Sequence, residues 1–297
     1  MAKSDKNTLS GLVVSQAMRH QVIQLLKETS IANSINALIK YKVNALLTTD
    51  QSGKPAGVLS KTDIMGAYYA GLPIESPIED IMSKPPLFCH PEDALDKALR
   101  IMHSQGVYRL YVVDSENKNV VGALAYPDIV GLLYKYCHDC EYSHIRQKNK
   151  SMPDSIQRFF VKEIMTSEVK SVLEDASLLQ VMEELSAYRF GAILVKNREN
   201  NPCGVISKTD LALAYKHEVD SGAQAATIMS SPVQSCSADE LLEDAIRKMI
   251  FSDVHRLFVY QSQPMALVGV ISLSDAARIR SGSCHACVSS RIKLETE

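Results

Sequence analysis

Apolar and polar residues alternate along this chain in two patterns, one with a helical period and one typical of short strands. Residues 241–250 carry leucine, isoleucine, alanine and methionine at spacings of one, three and four, which predicts a helix with one apolar face. Two apolar runs follow at 256–260 and 266–271, with the β-branched and aromatic content typical of paired strands. A last helix is predicted to begin near Ser274. The same order occurs earlier, at 94–102, 110–113 and 120–124.

A capping signal precedes the apolar helical residues at 241–250. Ser237 is followed three residues later by Glu240, the spacing of a capping box. In such a box the serine hydroxyl and the carboxylate both accept hydrogen bonds from backbone amides at the start of a helix. The signal therefore predicts a helix that begins directly behind Ser237.

The whole pattern occurs twice, at a constant spacing of 147 residues. The segment Gly-Val-Leu-Ser-Lys-Thr-Asp at 57–63 returns as Gly-Val-Ile-Ser-Lys-Thr-Asp at 204–210. Each half divides again, because Asp63 and Asp128 are 65 residues apart and so are the two aspartates that correspond to them in the second half. A repeat of this size buries only about 60% of the surface of its unfolded chain, so we expect the repeats to pair into two modules.

We place the four repeats, the linker and the tail from these patterns. The segment 141–158 is polar and contains a lysine-rich stretch and a proline, as is typical of a linker between modules. The predicted ranges are repeat 1 at 10–70, repeat 2 at 78–137, repeat 3 at 159–217, repeat 4 at 225–282 and a tail at 283–297.

Composition narrows the class of protein. Of the 297 residues, 46% are hydrophobic and 22% charged, which is typical of a soluble globular protein. The net charge of −2 argues against binding to nucleic acid or to an anionic membrane. The sequence shows no signal peptide and no apolar run long enough to span a bilayer, and its seven cysteines are too sparse for a disulfide scaffold. We therefore expect a cytoplasmic protein.

Catalytic fingerprints are missing from the sequence. It contains no glycine-rich dinucleotide or phosphate loop, no His-Glu-x-x-His and no Gly-x-Ser-x-Gly. Almost no residues lie beyond the four repeats, which leaves no room for a catalytic domain. We therefore expect that the chain is not an enzyme.

The ending Gly-apolar-apolar-Ser-x-x-Asp, at 57–63, 204–210 and 269–275, resembles that of the cystathionine β-synthase (CBS) domain. Two such repeats in tandem resemble a Bateman module, and the resemblance covers residues from about 10 to 282. It implies an α/β fold of four β-α-β-β-α units, paired into two Bateman modules with internal pseudo-twofold symmetry. The modules would pack as a flat disc within one chain or between two chains as a homodimer.

The fourth repeat, with His255 and Arg256 ahead of Ser272 and Asp275, resembles an AMP-binding repeat of the γ subunit of AMP-activated protein kinase. In that family the aspartate holds the ribose hydroxyls, the serines and the His-Arg pair reach phosphate, and adenine packs between repeats. The resemblance implies a non-enzymatic sensor of AMP, ADP, ATP or S-adenosylmethionine that signals to an unknown effector protein. The nucleotide-binding residues it implies are Ser60, Asp63, Arg109, Asp128, Ser207, Asp210, His255, Arg256, Ser272, Ser274 and Asp275.

The residues themselves suit this chemistry. An aspartate in the first turn of a helix offers two acceptor oxygens to the vicinal diol of a ribose. The same helix start presents amides and the positive end of the helix dipole, which favour phosphate. Arg256 adds a two-pronged, charge-assisted contact to a phosphate.

Three repeats depart from the fourth. In repeat 2, Ala125 replaces the serine, so only Asp128 and Arg109 are left and the site is in doubt. In repeats 1 and 3, the positions of the His-Arg pair are held by Asn44-Ala45 and Gly191-Ala192. We expect any arginine at those two sites to come from elsewhere in the chain.

Each half of the chain ends in Cys-His-x-Cys. The motifs supply Cys137, His138 and Cys140 in the first half, and Cys284, His285 and Cys287 in the second. Four thiolates could bind one zinc ion, and each pair could instead exchange a disulfide. The third interpretation is that these are small, half-buried residues at the end of a helix.

Two functions from other classes therefore stay open beside the nucleotide sensor. One is a metal or redox sensor that works through the cysteine motifs. The other is an interaction scaffold without ligands, because Ser-x-x-Asp before a helix is also a simple cap.

Overall fold

The computed structural model describes residues 11–116, 119–138, 159–262, 265–278, 280–281 and 292–293. Each repeat contributes one three-stranded sheet, in which the strands follow one another in chain order. In repeat 1, β1 (Gln24–Leu26) runs parallel to β2 (Ala45–Thr49), and β2 pairs antiparallel with β3 (Pro55–Ser60). Helix α2 (Ile31–Lys40) connects β1 to β2, and α3 (Lys61–Tyr69) follows β3. The predicted alternation of strands and helices is confirmed.

The other repeats share this order of elements. Repeat 2 has β4 (Phe88–Cys89), α4 (Leu95–Ser104), β5 (Arg109–Val113), β6 (Val120–Ala125) and α5 (Tyr126–His138). Repeat 3 has β7 (Ser171–Leu173), α7 (Leu178–Ala187), β8 (Ala192–Lys196), β9 (Pro202–Ser207) and α8 (Lys208–Lys216). Repeat 4 has β10 (Ser235–Ser237), α9 (Leu242–Phe251), β11 (Arg256–Ser262), β12 (Met265–Ser272) and α10 (Leu273–Arg278).

Short elements complete the described part of the chain. They are α1 (Val14–Ala17), α6 (Val161–Ile164), two 3₁₀ helices (Ile78–Asp80 and Ala225–Thr227) and the antiparallel pair β13 (Arg280–Ser281) and β14 (Ile292–Lys293). Among the described helices, none has the length and apolar character needed to cross a bilayer. The linker predicted at 141–158 lies outside the described residues.

The prediction of the helix start at Ser237 is wrong in position. The hydrogen bonds of the capping signal do form, because the Asp239 amide donates to Ser237 Oγ and the Ser237 amide donates to Glu240 Oε2. However, Ser237 ends strand β10, and helix α9 begins at Leu242 after Leu241 as N-cap. The signal therefore stabilises a turn between strand and helix.

The four repeats form two compact units, each with one repeat from either half of the chain. One unit joins repeats 1 and 3 through residues 22–86 and 170–233. The other joins repeats 2 and 4 and also contains the segment that precedes residue 22. Each unit has its own cluster of buried apolar side chains, contributed by both of its repeats.

A pair of stacked tyrosines joins repeats 1 and 3. The rings of Tyr68 on α3 and Tyr215 on α8 lie 5.0 Å apart at an angle of 12°. The Tyr68 hydroxyl donates to the carbonyl of Val219 at 2.6 Å, and the Tyr215 hydroxyl donates to the carbonyl of Leu72 at 2.5 Å. Equivalent residues therefore make reciprocal contacts, as expected of two repeats related by a pseudo-twofold axis.

Every sheet is also contacted by the short segment that precedes the first strand of another repeat, which we call the leading segment of that repeat. In the unit of repeats 1 and 3, the backbone of Ser83 pairs with Val58 in β3, which presses Met82 onto Gly57. A Cβ atom at Gly57 would lie 2.8 Å from both the Met82 sulfur and the Ser83 carbonyl oxygen, so only glycine fits. The same methionine–glycine contact occurs at Met18–Gly122, Met229–Gly204 and Met165–Gly269.

Gly57→Ala should lower the free energy of unfolding by about 1–3 kcal/mol, because the added methyl group overpacks a backbone contact. Gly66→Ala is the matched control, since Gly66 lies in α3 with open space around its Cα, and alanine should stabilise the helix by about 0.5–1 kcal/mol. Urea unfolding measures both variants. Equal stability of Gly57→Ala and the wild type would contradict the packing described here.

The Tyr68 hydroxyl makes stability depend on pH in the alkaline range. Burial, with a smaller contribution from Asp220, raises the pKa of Tyr68 from 10.0 to about 12. Because the pKa is higher in the folded state, this contribution to stability is complete below pH 10 and is lost as the pH rises from about 10 to about 12. Over this range the urea midpoint of the wild type should fall more than that of Tyr68→Phe. Parallel decreases for both proteins would contradict this role of the hydroxyl.

Candidate functional site

The junction between the third strand and the following helix is built in the same way in repeats 1 and 3. Ser60 is the extended N-cap of α3, and its hydroxyl oxygen accepts hydrogen bonds from the amides of Thr62 and Asp63. In return, Asp63 Oδ2 accepts the Ser60 amide at 2.7 Å and the Ser60 hydroxyl at 2.6 Å. Asp210 Oδ2 makes the same two contacts with Ser207, at 2.7 and 2.6 Å. The cap thus fixes the orientation of each carboxylate.

The second carboxylate oxygen meets a serine from a leading segment. The Ser83 hydroxyl donates to Asp63 Oδ1 at 3.2 Å, and the Ser230 hydroxyl donates to Asp210 Oδ1 at 3.0 Å. Both aspartates are half-buried, so their oxygens lie near the surface. A ligand hydroxyl has the same donor chemistry as these serines and could take their place.

In repeat 2 an arginine takes the place of that serine. The Ala125 amide donates to Asp128 Oδ2 at 2.8 Å, so the carboxylate keeps its capping contact. The other oxygen, Oδ1, forms an ion pair with the Nε of Arg19, which is the residue after Met18. The side chain of Asp128 is 6% exposed and that of Arg19 is 58% exposed, so the arginine covers the aspartate.

Arg19 was not among the residues predicted from the sequence, although a signal for it exists. The four residues that follow the glycine-contacting methionines are Arg19, Ser83, Thr166 and Ser230. Only one of them is charged. The repeat with that arginine is also the one with Ala125 in place of the serine.

Repeat 4 brings several of the predicted residues together. The Ser272 amide donates to Asp275 Oδ2 at 2.8 Å, and the Ser272 hydroxyl donates to the same oxygen at 2.5 Å. The hydroxyls of Ser272 and Ser274 lie 2.7 Å apart. The Leu273 amide donates to the carbonyl of His255, which places the start of β11 beside the start of α10.

Arg256 supplies positive charge at this junction. It is the first residue of β11 and pairs with Ser272 across the sheet. Burial lowers the pKa of its guanidinium, and the carboxylate of Asp275 opposes this effect, as Tyr108 of repeat 2 does to a smaller extent. A half-buried cation therefore lies within electrostatic reach of the capping aspartate. His255 beside it is exposed.

Arg109 is the counterpart of Arg256 in repeat 2, and it pairs with Ala125 across the sheet. Its charge acts on the buried Tyr111: burial raises the pKa of that hydroxyl to about 12, and Arg109 partly opposes the increase. With Arg19 on Asp128, the junction of repeat 2 is rich in cations and lacks the serine hydroxyl.

Two lysines that were not predicted as site residues lie at the junctions of repeats 1 and 3. Lys61 Nζ donates to Thr209 Oγ1 at 2.8 Å and to Asn44 Oδ1 at 3.2 Å. Lys208 Nζ donates to Thr62 Oγ1 at 2.8 Å. These cations are lysines, whereas an arginine from elsewhere in the chain was expected at the two sites. The identical Ser-Lys-Thr-Asp in both repeats was the available signal.

The cysteine motifs are beyond what the structure describes, except that Cys137 and His138 end helix α5. Cys140, Cys284, His285 and Cys287 lie outside the described residues. Within the described part of the chain, no three histidine, cysteine, aspartate or glutamate side chains are grouped as metal ligands. Cys89 and Cys236 are buried, and burial raises the pKa of each thiol to about 12, as is typical of packing residues.

Comparisons with known proteins agree with this architecture. The model of the CBS domain matches four segments of the chain, at residues 14–70, 78–135, 161–217 and 225–282. The crystal structure of protein MJ1225 from Methanocaldococcus jannaschii, proposed to be an archaeal homologue of the γ subunit of AMP-activated protein kinase, superposes with a TM-score of 0.73. That superposition covers 90% of this chain and 99% of MJ1225 at 16% identity, and it shows a shared fold.

Curated sequences give partial matches. MJ1225 is 26% identical over 190 residues, which cover 64% of this chain and 66% of that protein. L-aspartate semialdehyde sulfurtransferase from Methanosarcina acetivorans is 27% identical over 132 residues, 44% of this chain and 26% of the enzyme. The human γ-3 subunit of 5'-AMP-activated protein kinase is 26% identical over 200 residues, 65% of this chain and 39% of the subunit. The chain thus spans two thirds or less of each of these relatives.

The family matches fall on all four repeats, and each matched segment has the sheet and the capped helix described above. The predicted α/β fold of four repeats paired as Bateman modules is confirmed. The chain therefore belongs to the CBS domain family.

Proposed function

We propose that this chain is a non-enzymatic regulatory protein of the cytoplasm that binds adenine nucleotides or related adenosyl ligands at the strand–helix junctions of its repeats. The observation that carries the proposal is the convergence in repeat 4. There the oriented carboxylate of Asp275 and the hydroxyls of Ser272 and Ser274 lie at one helix start, and the half-buried cation Arg256 pairs with Ser272 across the sheet.

These groups match the parts of a nucleotide. The carboxylate can accept hydrogen bonds from both hydroxyls of a ribose, because its capping contacts already fix its plane. The arginine and the serine hydroxyls are donors for a phosphate. Half-buried apolar side chains of β12, Val268 and Val270 among them, offer apolar surface of the kind that an adenine ring packs against.

The four junctions differ in the groups that they offer. Repeats 1 and 3 hold Asp63 and Asp210 with exchangeable serine hydroxyls, and we propose both as ligand sites. In repeat 2, Arg19 already neutralises Asp128, and the hydroxyl of the missing serine is not available. We therefore propose that repeat 2 binds no ligand, whereas repeats 1, 3 and 4 do.

The relatives support a regulatory role. The γ-3 subunit belongs by name to a kinase that is activated by AMP, and about two thirds of this chain aligns with it. The sulfurtransferase is an enzyme, but the chain aligns with only 26% of it. We propose that occupancy favours one arrangement of the repeats and that an effector protein binds that arrangement. Such coupling cannot exceed the difference in ligand affinity between the two arrangements.

A thermal-melt titration of the wild type with AMP, ADP, ATP and S-adenosylmethionine tests ligand binding. At about 100 times its dissociation constant, a ligand at one site should add roughly 2.7 kcal/mol of stability. Asp275→Ala should reduce the stabilisation, because it removes the acceptor for the ribose. Asp239→Ala is the matched control, since Asp239 is an exposed residue of the same repeat that pairs with the exposed Lys162.

The titration separates the sensor from the scaffold. Stabilisation by one ligand that shrinks in Asp275→Ala and persists in Asp239→Ala is the expected result. If none of the four ligands at millimolar concentration shifts the melt, the chain is an interaction scaffold and its serine–aspartate motifs are only caps.

The ion pair of Arg19 with Asp128 in repeat 2 gives a second test. The double variant Arg19→Ser with Ala125→Ser copies the groups of repeat 1 into repeat 2, so Asp128 should become available to a ligand. Calorimetric titration with the ligand found above should show one more site per chain. Arg100→Ser is the control, because Arg100 is an exposed arginine of the same repeat that pairs with Asp96. An unchanged number of sites in the double variant would show that Arg19 does not close the junction.

A further inference from the structure

The methionine–glycine contacts of repeats 1 and 3 share a backbone arrangement and differ in what surrounds the sulfur. Met82 and Met229 are 147 residues apart, and each places its sulfur on a glycine of a sheet, Gly57 or Gly204. Each methionine belongs to a leading segment that forms a backbone bridge with the sheet. The two contacts can therefore be compared atom by atom, one as the reference for the other.

In repeat 1 a hydroxyl group covers the sulfur. Thr48 of β2 lies opposite Gly57, and its hydroxyl donates a hydrogen bond to Met82 Sδ at 2.8 Å. Thr48 is fully buried and Met82 is 8% exposed. The hydrogen bond occupies a lone pair of the sulfur, and a lone pair is what attacks an oxidant. Met82 is thus shielded from solvent and is also made less nucleophilic.

In repeat 3 that hydroxyl is replaced by an apolar side chain. Val195 holds the position of Thr48, opposite Gly204. Met229 is half-buried and packs against the apolar cluster of its unit. The thiol of Cys203 lies 3.9 Å from Met229 Sδ and 3.4 Å from the carbonyl oxygen of Val195. Because a thiol is a weak donor, the sulfur of Met229 keeps its nucleophilic lone pairs.

The neighbouring thiol of Cys203 is the less reactive of the two sulfur groups. Burial, with a smaller contribution from the carboxylate of Glu174, raises the pKa of Cys203. The thiolate is the form of cysteine that reacts with oxidants, so a thiol with a raised pKa reacts slowly. A thioether has no proton to lose before it reacts. The oxidant is therefore expected to attack Met229 rather than Cys203.

We propose that Met229 is an oxidation site, through which peroxides loosen the leading segment of repeat 4 from the sheet of repeat 3. In this step one oxygen atom of hydrogen peroxide bonds to the thioether sulfur, the O–O bond breaks, and the other oxygen leaves as water. The sulfur loses two electrons and the peroxide gains them. The product, methionine sulfoxide, is polar and carries one more heavy atom than methionine.

The sulfoxide does not fit the contact that the thioether makes. A Cβ atom at Gly204 would lie 2.6 Å from Met229 Sδ, so the sulfur already rests on the glycine. Two backbone hydrogen bonds hold the segment there, from the Ser230 amide to the carbonyl of Val205 at 2.9 Å and from the Val205 amide to the carbonyl of Ser230 at 3.0 Å. An added polar oxygen in this packed, apolar contact weakens both bonds.

Release of the segment changes the junction of repeat 3. The Ser230 hydroxyl donates to Asp210 Oδ1 at 3.0 Å, and this contact is lost when Ser230 leaves the sheet. The corresponding contact of Ser83 with Asp63 persists, because Met82 resists oxidation. Peroxide therefore acts on one of two otherwise matching junctions. The inference goes beyond the proposed function, and its test needs no ligand.

Peptide mass spectrometry of the full chain after treatment with dilute hydrogen peroxide measures the first part of the proposal. Met229 should be oxidised about five- to tenfold faster than Met82, the factor that one hydrogen bond accounts for. Thr48→Val copies the residue of repeat 3 into repeat 1, so it should raise the rate at Met82 and leave the rate at Met229 unchanged. Cys203→Ala copies Ala56 of repeat 1 and should leave the added oxygen on Met229.

Amide hydrogen exchange measures the release of the segment. After oxidation, the amides of Ser230 and Val205 should exchange at least about fivefold faster, as expected of a group forced into a packed contact. The amides of Ser83 and Val58, which form the same bridge in repeat 1, should be unaffected. Met229→Leu keeps an apolar side chain of similar volume, so its exchange should not respond to peroxide. Enzymatic reduction of the sulfoxide should restore slow exchange in the wild type.

Three results would overturn the proposal. Equal rates of oxidation at Met82 and Met229 would show that the hydroxyl of Thr48 gives no protection. Oxygen found on Cys203, with Met229 unmodified, would place the chemistry on the thiol. Unchanged exchange of the Ser230 amide in protein oxidised at Met229, or an equal response in Met229→Leu, would show that the sulfoxide does not release the segment. None of these results depends on nucleotide binding, so the proposed function is tested separately.

Discussion

The structure depends on one hydrogen bond that is repeated four times, from the backbone amide at a strand–helix junction to Oδ2 of the aspartate three residues later. It forms at Asp63, Asp128, Asp210 and Asp275, at distances of 2.7 to 2.8 Å. The bond stabilises the start of each helix, and it also fixes which carboxylate oxygen points away from the backbone. A local capping interaction thus creates an oriented acceptor at the same place in every repeat.

The identity of the group that meets this acceptor makes the four junctions different. The methionine–glycine contacts fix the leading segments of other repeats over the sheets. The residue after each methionine then lies at the strand–helix junction. Ser83 and Ser230 bring hydroxyls that a ligand can replace, whereas Arg19 brings a charge that closes the junction. The same backbone arrangement therefore supports junctions that we propose to bind a ligand, and one junction, in repeat 2, that we propose to bind none.

The sequence was sufficient for features that arise from local interactions. The repeats, the strands and the capping aspartates could be predicted because periodicity and caps depend on residues a few positions apart. Even so, the helix start at Ser237 was predicted wrongly, since the same hydrogen bonds also stabilise a turn. Arg19 and Lys61 were missed because their partners are 109 and 148 residues away, and only the fold brings them together.

The most direct test of the central claim is a crystal structure of the chain grown with AMP. The account predicts AMP at the junction of repeat 4, with both ribose hydroxyls within hydrogen-bond distance of Asp275 and the phosphate against Arg256. It also predicts that the junction of repeat 2 keeps its pair of Arg19 and Asp128. AMP bound away from all four aspartates, or bound at Asp128 in place of Arg19, would contradict the account.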